Sequence, residues 1–352
     1  MRVSLKDIAE YTGLSKSTVS IHLNKHVLAE QLSTATKAKI DAAVKKFGYV
    51  PSYTARALSC GKTQTIGFVV ADLALPYPAR MASALMDEAS KHDLQLLISA
   101  TKYSPENEIK CLEDLRDRRA DGIIYPLATD IEVCNRLVEE HYPMVLAFNS
   151  DDRFNSVVND FSDAMRKGVA YFSRAGAKEV TIIADINSIR NDDENMYDSF
   201  IKACGQSGCI SNTEPVNSLD IAEIDFCFER ISRNPPDFMI VQGPLFMNIL
   251  EQKLRCYQNK FPRIINIIAS WELPPLRDEM LIGVIICYPD KIIRTAVDTL
   301  VRLIKRPVDN KFPFLFKEPA EFLLSWAGDA CKDTIYEVKK MMGYSAYKLE
   351  QG

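Results

Sequence analysis

The spacing of apolar residues changes along the chain and divides it into two kinds of structure. Between Leu5 and Phe47 they recur every three to four positions, which is the spacing of short amphipathic helices. After Lys62, continuous apolar runs alternate with helix-length segments, a pattern typical of βαβ units and a parallel sheet. The polar stretch Ser150 to Arg153 separates these runs into two groups, as expected for two α/β lobes with a cleft between them. The predicted strands are Thr65–Asp72, Leu94–Thr101, Asp121–Leu127, Tyr142–Phe148, a weak strand at Ser156–Asp160, Glu179–Asp185, Asp237–Gly243, Arg263–Ser270 and Leu281–Cys287.

The first helical stretch, Leu5 to Asn24, predicts two short helices joined by a tight turn. Ala9 is small enough for two helices to cross closely, and Gly13 can take the left-handed conformation that ends the first helix. Ser15 can cap the second helix, because its side-chain oxygen can accept a hydrogen bond from a free backbone N–H of the first turn. These positions together have the spacing of a helix-turn-helix motif.

The second of these helices has two faces of different character. Val19 and Leu23 lie four residues apart and point one way, into a small core. The other face is free for the major groove of DNA and carries Lys16, Ser17, Ser20 and Ile21. An ordinary helical hairpin with a solvated polar face is the alternative. A third helix is predicted from Ser33, which can cap it, to Gly48, which can stop it.

Charge is distributed unevenly between the two parts of the chain. Residues 1–62 contain ten Lys or Arg and four Asp or Glu, a net charge of +6. The whole chain carries −4, which leaves −10 on residues 63–352. A basic segment attracts DNA phosphates and makes binding strongly dependent on salt, while the acidic remainder stays off the DNA. A basic run alone is usually a solvated surface, but here it coincides with the helix-turn-helix pattern.

The residues that follow the third helix carry a family resemblance. The segment Tyr49 to Lys62 has helical composition but is too short to form a stable helix alone. The chain resembles the LacI/GalR family of bacterial transcription regulators, in which the head is followed by Gly-Tyr-x-Pro-Asn-x-x-Ala-Arg-x-Leu and then a strand. Ser52 replaces the asparagine of this pattern, and either residue can cap the helix that Pro51 begins. The matching residues are Gly48, Tyr49, Pro51, Ala55, Arg56 and Leu58.

The resemblance implies how such a chain binds DNA. Family members bind palindromic operators as homodimers, with half-sites about one DNA turn apart. Their hinge becomes helical on the operator and pushes a leucine into the minor groove, and Leu58 is the matching residue, for which packing of a linker is the alternative. The residues expected to contact double-stranded DNA are Lys6, Ser15, Lys16, Ser17, Thr18, Ser20, Ile21, His22, Asn24, Tyr49, Ser52, Ala55, Arg56 and Leu58.

One residue of the second helix departs from the family. Many members have an arginine where this chain has Ile21, and an arginine can bind a guanine edge with two hydrogen bonds. Ile21 offers only apolar contact, for example with a thymine methyl group. Lys16, Ser17 and His22 are then left to carry the remaining base recognition, so an unusual operator is expected.

The resemblance also implies the fold of the whole chain. That fold is multidomain, with an all-α, lambda-repressor-like helix-turn-helix head at residues 1–48 and a hinge at 49–62. Residues 63–352 would form an α/β, periplasmic-binding-protein-like core of two parallel-sheet lobes, which binds effector and dimerises. Lobe 1 would comprise 63–160 and 289–321, and lobe 2 would comprise 161–288 and 322–352, with three crossovers between them.

A ligand is expected at the strand ends that face the cleft. The residues with which family members hold sugars or nucleobases are largely absent, because Met196, Gly243 and Trp271 stand at such positions. The alternative for the aromatic candidates is core packing, and the alternative for Asp160 is a turn cap. The residues left to contact a small-molecule effector, a sugar or a related metabolite, are Tyr77, Tyr125, Phe148, Asn149, Asp160, Met196, Trp271 and Glu272.

Catalytic and metal-binding motifs are missing from the sequence. It contains no glycine-rich phosphate loop, no His-Glu-x-x-His and no Gly-x-Ser-x-Gly, so an enzyme is not expected. Its nine cysteines are odd in number and scattered, which favours reduced thiols over a disulfide framework or a metal site. Neither a cofactor nor a metal is therefore expected.

The apolar runs also bear on location and on the alternative functions. No run is long enough to span a bilayer and the start lacks a leader-like apolar stretch, so no membrane partner and a cytoplasmic location are expected. The main interpretation is a transcriptional repressor whose DNA affinity depends on an effector. One alternative is an effector-independent DNA-binding regulator with a vestigial cleft. Another is a solute-binding protein for a transporter, which would not carry residues 1–61.

Overall fold

The structure is a computed structural model of the 352-residue chain. Its internal contacts divide the chain into two units, one of residues 1–65 with 116–121 and one of residues 66–115 with 122–352. The predicted hinge residues Ser52, Ala55, Arg56 and Leu58 lie outside the described residues. The structure describes residues 3–24, 27–50, 57, 61–74, 76–126, 136–137, 139–185, 196–217, 220–256, 262–272, 281–306 and 313–324.

The first unit contains the predicted helical head. Its helices are α1 (Leu5–Thr12), α2 (Lys16–Leu23) and α3 (Thr34–Phe47), with a 3₁₀ turn at Val27–Gln31 between the last two. The unit also includes the segment around Asp121, whose carboxylate accepts hydrogen bonds from the backbone N–H groups of Thr63 and Gln64, both at 2.8 Å. The three helices are those that the sequence predicts.

The second unit alternates strands and helices. In chain order its elements are β1 (Thr65–Val70), α4 (Pro76–Ser90), β2 (Gln95–Ala100), α5 (Pro105–Asp117), β3 (Gly122–Tyr125), β4 (Met144–Ala147), β5 (Asn155–Asp160), α6 (Ser162–Arg174), β6 (Glu179–Asp185), α7 (Met196–Ser207), β7 (Ile210–Val216), α8 (Ile221–Arg233), β8 (Phe238–Gln242), α9 (Gly243–Cys256), β9 (Arg263–Ala269), β10 (Leu281–Cys287), α10 (Pro289–Lys305), β11 (Leu315–Pro319) and β12 (Glu321–Leu324).

The strands form two sheets. The first sheet has the order β2-β1-β3-β4-β5-β11, and the second has the order β7-β6-β8-β9-β10-β12. Strands β1, β3, β4, β5 and β11 pair in parallel, as do β7, β6, β8, β9 and β10. Only β12 is observed to run antiparallel, against β10, among the described pairs. The parallel order explains why most strands are continuous apolar runs, since helices cover both faces.

Nine of the observed strands coincide with the predicted ones to within two residues at each end. Strands β7, β11 and β12 were not predicted from the sequence. Each of these strands lies at the edge of a sheet. Because β7 and β11 are mostly exposed or half-buried, their residues Ser211, Asn212, Lys317 and Glu318 interrupt the apolar pattern by which a buried strand is recognised.

Helix α10 shows how the sheets are covered. Its residues Ile292, Ala296 and Leu300 are all fully buried and recur every four positions along one face of the helix. This face packs on the first sheet together with α4. A Cβ atom at Gly122 would lie 2.7 Å from Leu300 Cδ1 and 2.9 Å from the Pro143 carbonyl oxygen, so only glycine allows α10 to approach β3 so closely.

Hydrogen bonds and an ion pair connect the places where the chain passes from one sheet to the other. Strands β11 and β12 belong to different sheets and are separated only by Ala320. The N–H of Ala320 donates to the carbonyl of Asp160, the last residue of β5, at 2.8 Å. Lys291 at the start of α10 pairs with Glu318 of β11 at 3.0 Å.

Among the helices that the structure describes, none combines the length and the apolar character needed to cross a membrane.

Candidate DNA-reading surface and ligand cleft

A reciprocal cap fixes the start of α1. The N–H and the hydroxyl of Ser4 both donate to the carboxylate of Asp7 at 2.8 Å, and the N–H of Asp7 donates to Ser4 Oγ at 3.4 Å. The hydrogen bond from the Ser4 backbone is the main cause that lowers the pKa of Asp7. This capping box was not predicted, although a serine followed three residues later by an acidic residue is its signal.

The turn between α1 and α2 has the predicted geometry. Gly13 has φ 64° in the left-handed region, and the N–H of Leu14 donates to the carbonyl of Ala9 at 3.1 Å. Ser15 Oγ accepts from the N–H of Thr18 at 3.0 Å and caps α2. Both predictions are confirmed. The turn therefore sets where α2 begins and in which direction it leaves.

A small core holds the three helices together. Its fully buried members are Ile8 and Ala9 of α1, Val19 of α2, and Ile40 and Ala43 of α3. Val19 is the only residue of α2 that is fully buried. Half-buried side chains, among them Leu23 and Tyr49, pack around this core. The predicted inward direction of Val19 and Leu23 is confirmed.

The other side of α2 is the reading face, which we define as Lys16, Ser17, Ser20 and Ile21. Lys16 and Ser17 are exposed, whereas Ser20 and Ile21 are half-buried. Ser20 Oγ accepts from Asn24 Nδ2 at 3.0 Å, and the hydroxyl groups of Ser15 and Thr18 lie 2.8 Å apart. Lys6 on α1 is exposed and pairs weakly with Glu10 at 3.6 Å. The face thus offers a cation, hydroxyl groups and one branched apolar side chain.

His22 lies on α2 but makes a contact within the head. Its Nε2 is 2.7 Å from Asp41 Oδ1 on α3. An ionised carboxylate can only accept, so Nε2 carries the proton and donates. His22 was predicted to contact bases, and its bond to Asp41 was not predicted because the two residues are 19 positions apart.

Tyr49 marks the end of the head. It is half-buried against the head core, and its N–H donates to the carbonyl of Val44 at 3.0 Å. The preceding residue, Gly48, ends α3 in the left-handed conformation with φ 58°. The later DNA-contact candidates, Ser52, Ala55, Arg56 and Leu58, remain predictions.

A second group of candidates lies at the carboxyl ends of the strands. Tyr125 ends β3 and is fully buried, and its hydroxyl has no hydrogen-bond partner among the described residues. Asn149 follows β4 and is 1% exposed. Its Oδ1 accepts from the N–H of Ser150 at 2.7 Å, but its Nδ2 has no partner among the described residues. Buried polar atoms without a partner are costly unless a ligand or water satisfies them.

Tyr77, Phe148 and Trp271 form what we call the aromatic cluster. Tyr77 on α4 lies 6.4 Å from Phe148, edge to face, and 5.6 Å from Trp271, measured between ring centroids. Phe148 follows β4 of the first sheet and Trp271 follows β9 of the second, so the cluster joins the two sheets. Phe148 has φ 69°, a conformation that costs a non-glycine residue about 1 kcal/mol or more. Burial raises the pKa of the Tyr77 hydroxyl well above its usual value.

The two acidic candidates are engaged with the backbone. Glu272 Oε2 accepts from the N–H of Ala269 at 2.8 Å, and burial raises the pKa of this carboxyl. Asp160 Oδ1 accepts from the N–H of Ser162 at 2.9 Å and from its hydroxyl, which is the turn cap that the sequence offered as the alternative. Met196 begins α7, is 4% exposed and belongs to the core of the second sheet.

Comparison with family models identifies both parts of the chain. Residues 4–52 match the model of bacterial regulatory proteins of the lacI family. Residues 63–225 match the model of periplasmic binding proteins and the sugar binding domain of the LacI family. The chain belongs to the lacI family. The resemblance predicted from the hinge pattern is thereby confirmed, and so is the predicted fold of a helical head with a two-sheet α/β core.

Curated relatives of this lacI-family chain are regulators. Catabolite control protein A of Staphylococcus epidermidis is 28% identical over 55% of this chain and 59% of its own length. The catabolite repressor/activator of Escherichia coli K12 is 32% identical over 46% of this chain and 49% of its own length. The uncharacterized HTH-type transcriptional regulator YkvZ of Bacillus subtilis is 31% identical over 51% of this chain and 54% of its own length. The chain spans about half the length of the curated relatives it matches.

Solved structures of transcriptional regulators share the fold. The Lac repressor dimer bound to operator and the anti-inducer ONPF matches with a TM-score of 0.75 and 18% identity, over 93% of this chain and 100% of that chain. The regulator CelR in complex with cellobiose matches with a TM-score of 0.59 and 17% identity, over 93% and 100%. Cra of Pseudomonas putida in complex with fructose 1-phosphate matches with a TM-score of 0.60 and 18% identity, over 75% and 100%.

Proposed function

We propose that this protein is a sequence-specific DNA-binding transcriptional regulator that acts as a repressor in the cytoplasm and binds a palindromic operator as a homodimer. The observation that carries the proposal is the geometry of α2. A cap at Ser15 and a buried anchor at Val19 fix the helix, while Lys16 and Ser17 stay exposed on the reading face. A recognition helix held in this way places its outer side chains against base edges in the major groove.

The charge of residues 1–62 supports the same proposal. A net charge of +6 gives the head a general affinity for the phosphates of duplex DNA. Phosphate contacts position a protein but do not specify a sequence, so discrimination has to come from the reading face. Ile21 suits a thymine methyl group, and Lys16 suits guanine O6 and N7. We therefore expect an operator that lacks the guanine which an arginine at position 21 would select.

We further propose that a small molecule in the cleft modulates DNA affinity. The aromatic cluster offers ring faces, and the unsatisfied Nδ2 of Asn149 and hydroxyl of Tyr125 offer buried hydrogen-bonding groups at the neighbouring strand ends. Ligand sites combine such apolar walls with a few placed polar groups. Two regulators with this fold were solved in complex with cellobiose and with fructose 1-phosphate, which supports a sugar or related metabolite as effector here.

A second candidate function is regulation without any effector. Tyr77 contacts both of the other rings of the aromatic cluster. Glu272 and Asp160 use carboxylate oxygens to accept backbone hydrogen bonds, which leaves a sugar fewer free acceptors. In this case the cleft would be a packed joint between the sheets and the protein would respond only to its own concentration.

Selection of binding sites from a random pool of duplex DNA tests the main proposal. We expect a palindromic consensus with half-sites about one turn apart, bound in a salt-dependent way. Recovery of guanine at the half-site position facing residue 21 would contradict the role given to Ile21. The absence of any preferred sequence at low ionic strength, with and without added metabolites, would overturn the proposed function.

Isothermal titration of the full chain with fractionated cell metabolites separates the two candidate functions. A saturable heat, with a change in operator affinity in the same fraction, supports the ligand-gated regulator. Operator binding that no fraction alters supports the effector-independent one.

A further inference from the structure

The recognition helix is the least anchored helix of the head. Helix α1 buries Ile8, Ala9 and Thr12 completely, and α3 buries Ile40 and Ala43. Helix α2 has eight residues and buries only Val19. The apolar contacts of α2 come from Val19 and the half-buried Leu23, four residues apart, so they restrain only one narrow strip of its surface. The direction of the reading face then needs a second restraint.

The hydrogen bond between His22 and Asp41 is placed to supply that restraint. It joins the last turn of α2 to the middle of α3 at 2.7 Å. The side chain of His22 is 16% exposed, so the ring is held against the head. Because His22 lies three residues after Val19, the apolar contact and the polar contact restrain neighbouring positions of the same helix face. Together they set the angle at which the opposite face is presented.

We propose that His22 is a positioning residue, which fixes the roll of α2 through Asp41 so that Lys16, Ser17 and Ile21 meet the bases. This inference rests on the proposed function and replaces the direct base contact that the sequence analysis assigned to His22. The Nε2–H group, one of the two ring nitrogens through which His22 could contact a base edge, donates its hydrogen bond to Asp41 in the described head. Specificity then depends on a residue that reads no base itself.

The charge of Asp41 provides a sharp test, because two effects of its removal have opposite signs. Asp41 is one of four acidic residues within residues 1–62, and Lys37 and Lys45 flank it at four residues on either side along α3. Replacing it by alanine makes the head more positive, and general electrostatics alone would tighten binding to any duplex. If the bond to His22 positions α2, the same change weakens binding to the operator relative to random DNA.

The experiment compares four single variants of the full chain on the selected operator and on a random duplex at one salt concentration. Asp41→Ala and His22→Ala break the bond, whereas Asp41→Asn and His22→Gln keep an acceptor and a donor in its place. We expect the ratio of operator to random affinity to fall about fivefold in both alanine variants, because a pair whose acceptor Asp41 is 65% exposed contributes less than a buried one. In the two conservative variants the ratio of operator to random affinity should stay within about twofold of the wild-type ratio. The double alanine variant should lose no more than either single one, since the two residues share one interaction.

Thermal unfolding of each variant identifies any that fail to fold, and the conservative pair keeps the test decisive in that case. The proposal is overturned if Asp41→Ala tightens operator and random DNA equally. It is also overturned if His22→Ala relaxes discrimination at one base pair while Asp41→Ala leaves that position intact, because His22 would then read a base. A wild-type chain without preference for any duplex would instead refute the proposed function and this inference with it.

Discussion

The head and the cleft differ in whether their polar side chains are exposed or bonded within the protein. On α2, Lys16 and Ser17 point to solvent, while caps and a small core use other residues to hold the helix. At the strand ends, Asp160 and Glu272 instead bond to the backbone, and aromatic rings contact one another. Side chains left exposed on a rigid helix are available to a partner, whereas groups satisfied internally contribute little to a new ligand. The chemistry of the partner is therefore far clearer for the head than for the cleft.

Destroying the small core of the head should have the largest effect. Ile40 is fully buried among the three helices, and Ile40→Ala should cost about 2–5 kcal/mol, comparable with the whole stability of so small a unit. We expect operator binding to be lost while the thermal transition of the α/β core stays in place. Calorimetry and gel-shift titration measure the two outcomes. Leu28→Ala, at a side chain 44% exposed, is the matched control, and operator binding retained in Ile40→Ala would contradict this view of the core.

Removing the proposed wedge should have the next largest effect. Leu58→Ala should weaken operator binding by about thirtyfold. A leucine inserted between base pairs bends the DNA, and the additional protein contacts with bent DNA, worth a few kcal/mol, would be lost with it. Binding to random duplex at the same salt concentration should change little. Fluorescence anisotropy on both duplexes checks the prediction. Equal losses on the two duplexes would remove the wedge role and reduce Leu58 to a packing residue of the linker.

Removing one ring of the aromatic cluster tests whether the cleft binds a metabolite. Trp271→Ala removes a half-buried ring 5.6 Å from Tyr77 and should lower the free energy of unfolding by about 2 kcal/mol. It should leave operator binding without metabolites unchanged and abolish any response to the metabolite fraction that acts on the wild type. Denaturant unfolding and operator titration measure these effects. Phe226→Ala, at an aromatic ring 71% exposed, is the control, and an unaltered metabolite response in Trp271→Ala would exclude the cluster from the site.

The smallest expected effect concerns the buried carboxyl of Glu272. Burial raises its pKa above the ordinary value of 4.5, so the folded protein holds this proton more tightly than the unfolded chain does. Its contribution to stability is therefore present in full below pH 4.5 and is lost as pH rises through the raised value. Glu272→Gln should be slightly more stable than the wild type at pH 7, with the difference shrinking toward pH 4. Urea unfolding across this range checks the slope, and a constant difference would contradict it. The exposed Glu106→Gln should show no such trend.

Local features of the head could be predicted from the sequence because each is decided within a few residues. Ser33 Oγ accepts from the N–H of Thr36 at 3.1 Å, and Gly48 ends the same helix, both as predicted. Caps and left-handed stops depend on residue type and immediate neighbours, so they leave a clear signal. The buried strands were predictable for a similar reason, since helices on both faces require continuous apolar runs.

Contacts between distant residues could not be predicted in the same way. The sequence proposed Tyr77 and Trp271 as cleft residues, but their ring contact depends on how α4 meets the end of β9. The bond between His22 and Asp41 likewise joins two helices, and neither residue type is unusual at its position. Edge strands such as β7 were missed because a half-exposed strand lacks the apolar run that identifies a buried one.

The single residue between β11 and β12 limits how the core can deform. Ala320 alone spans the gap from one sheet to the other, its N–H is held by Asp160, and the ring of Pro319 fixes the φ angle before it. A reorientation of one sheet against the other has to change torsions at this residue and at the two other crossings, which follow β5 and β10. This short connection therefore restricts the directions in which the two sheets can rotate against each other. A longer or glycine-rich connection there would allow rotation in many directions.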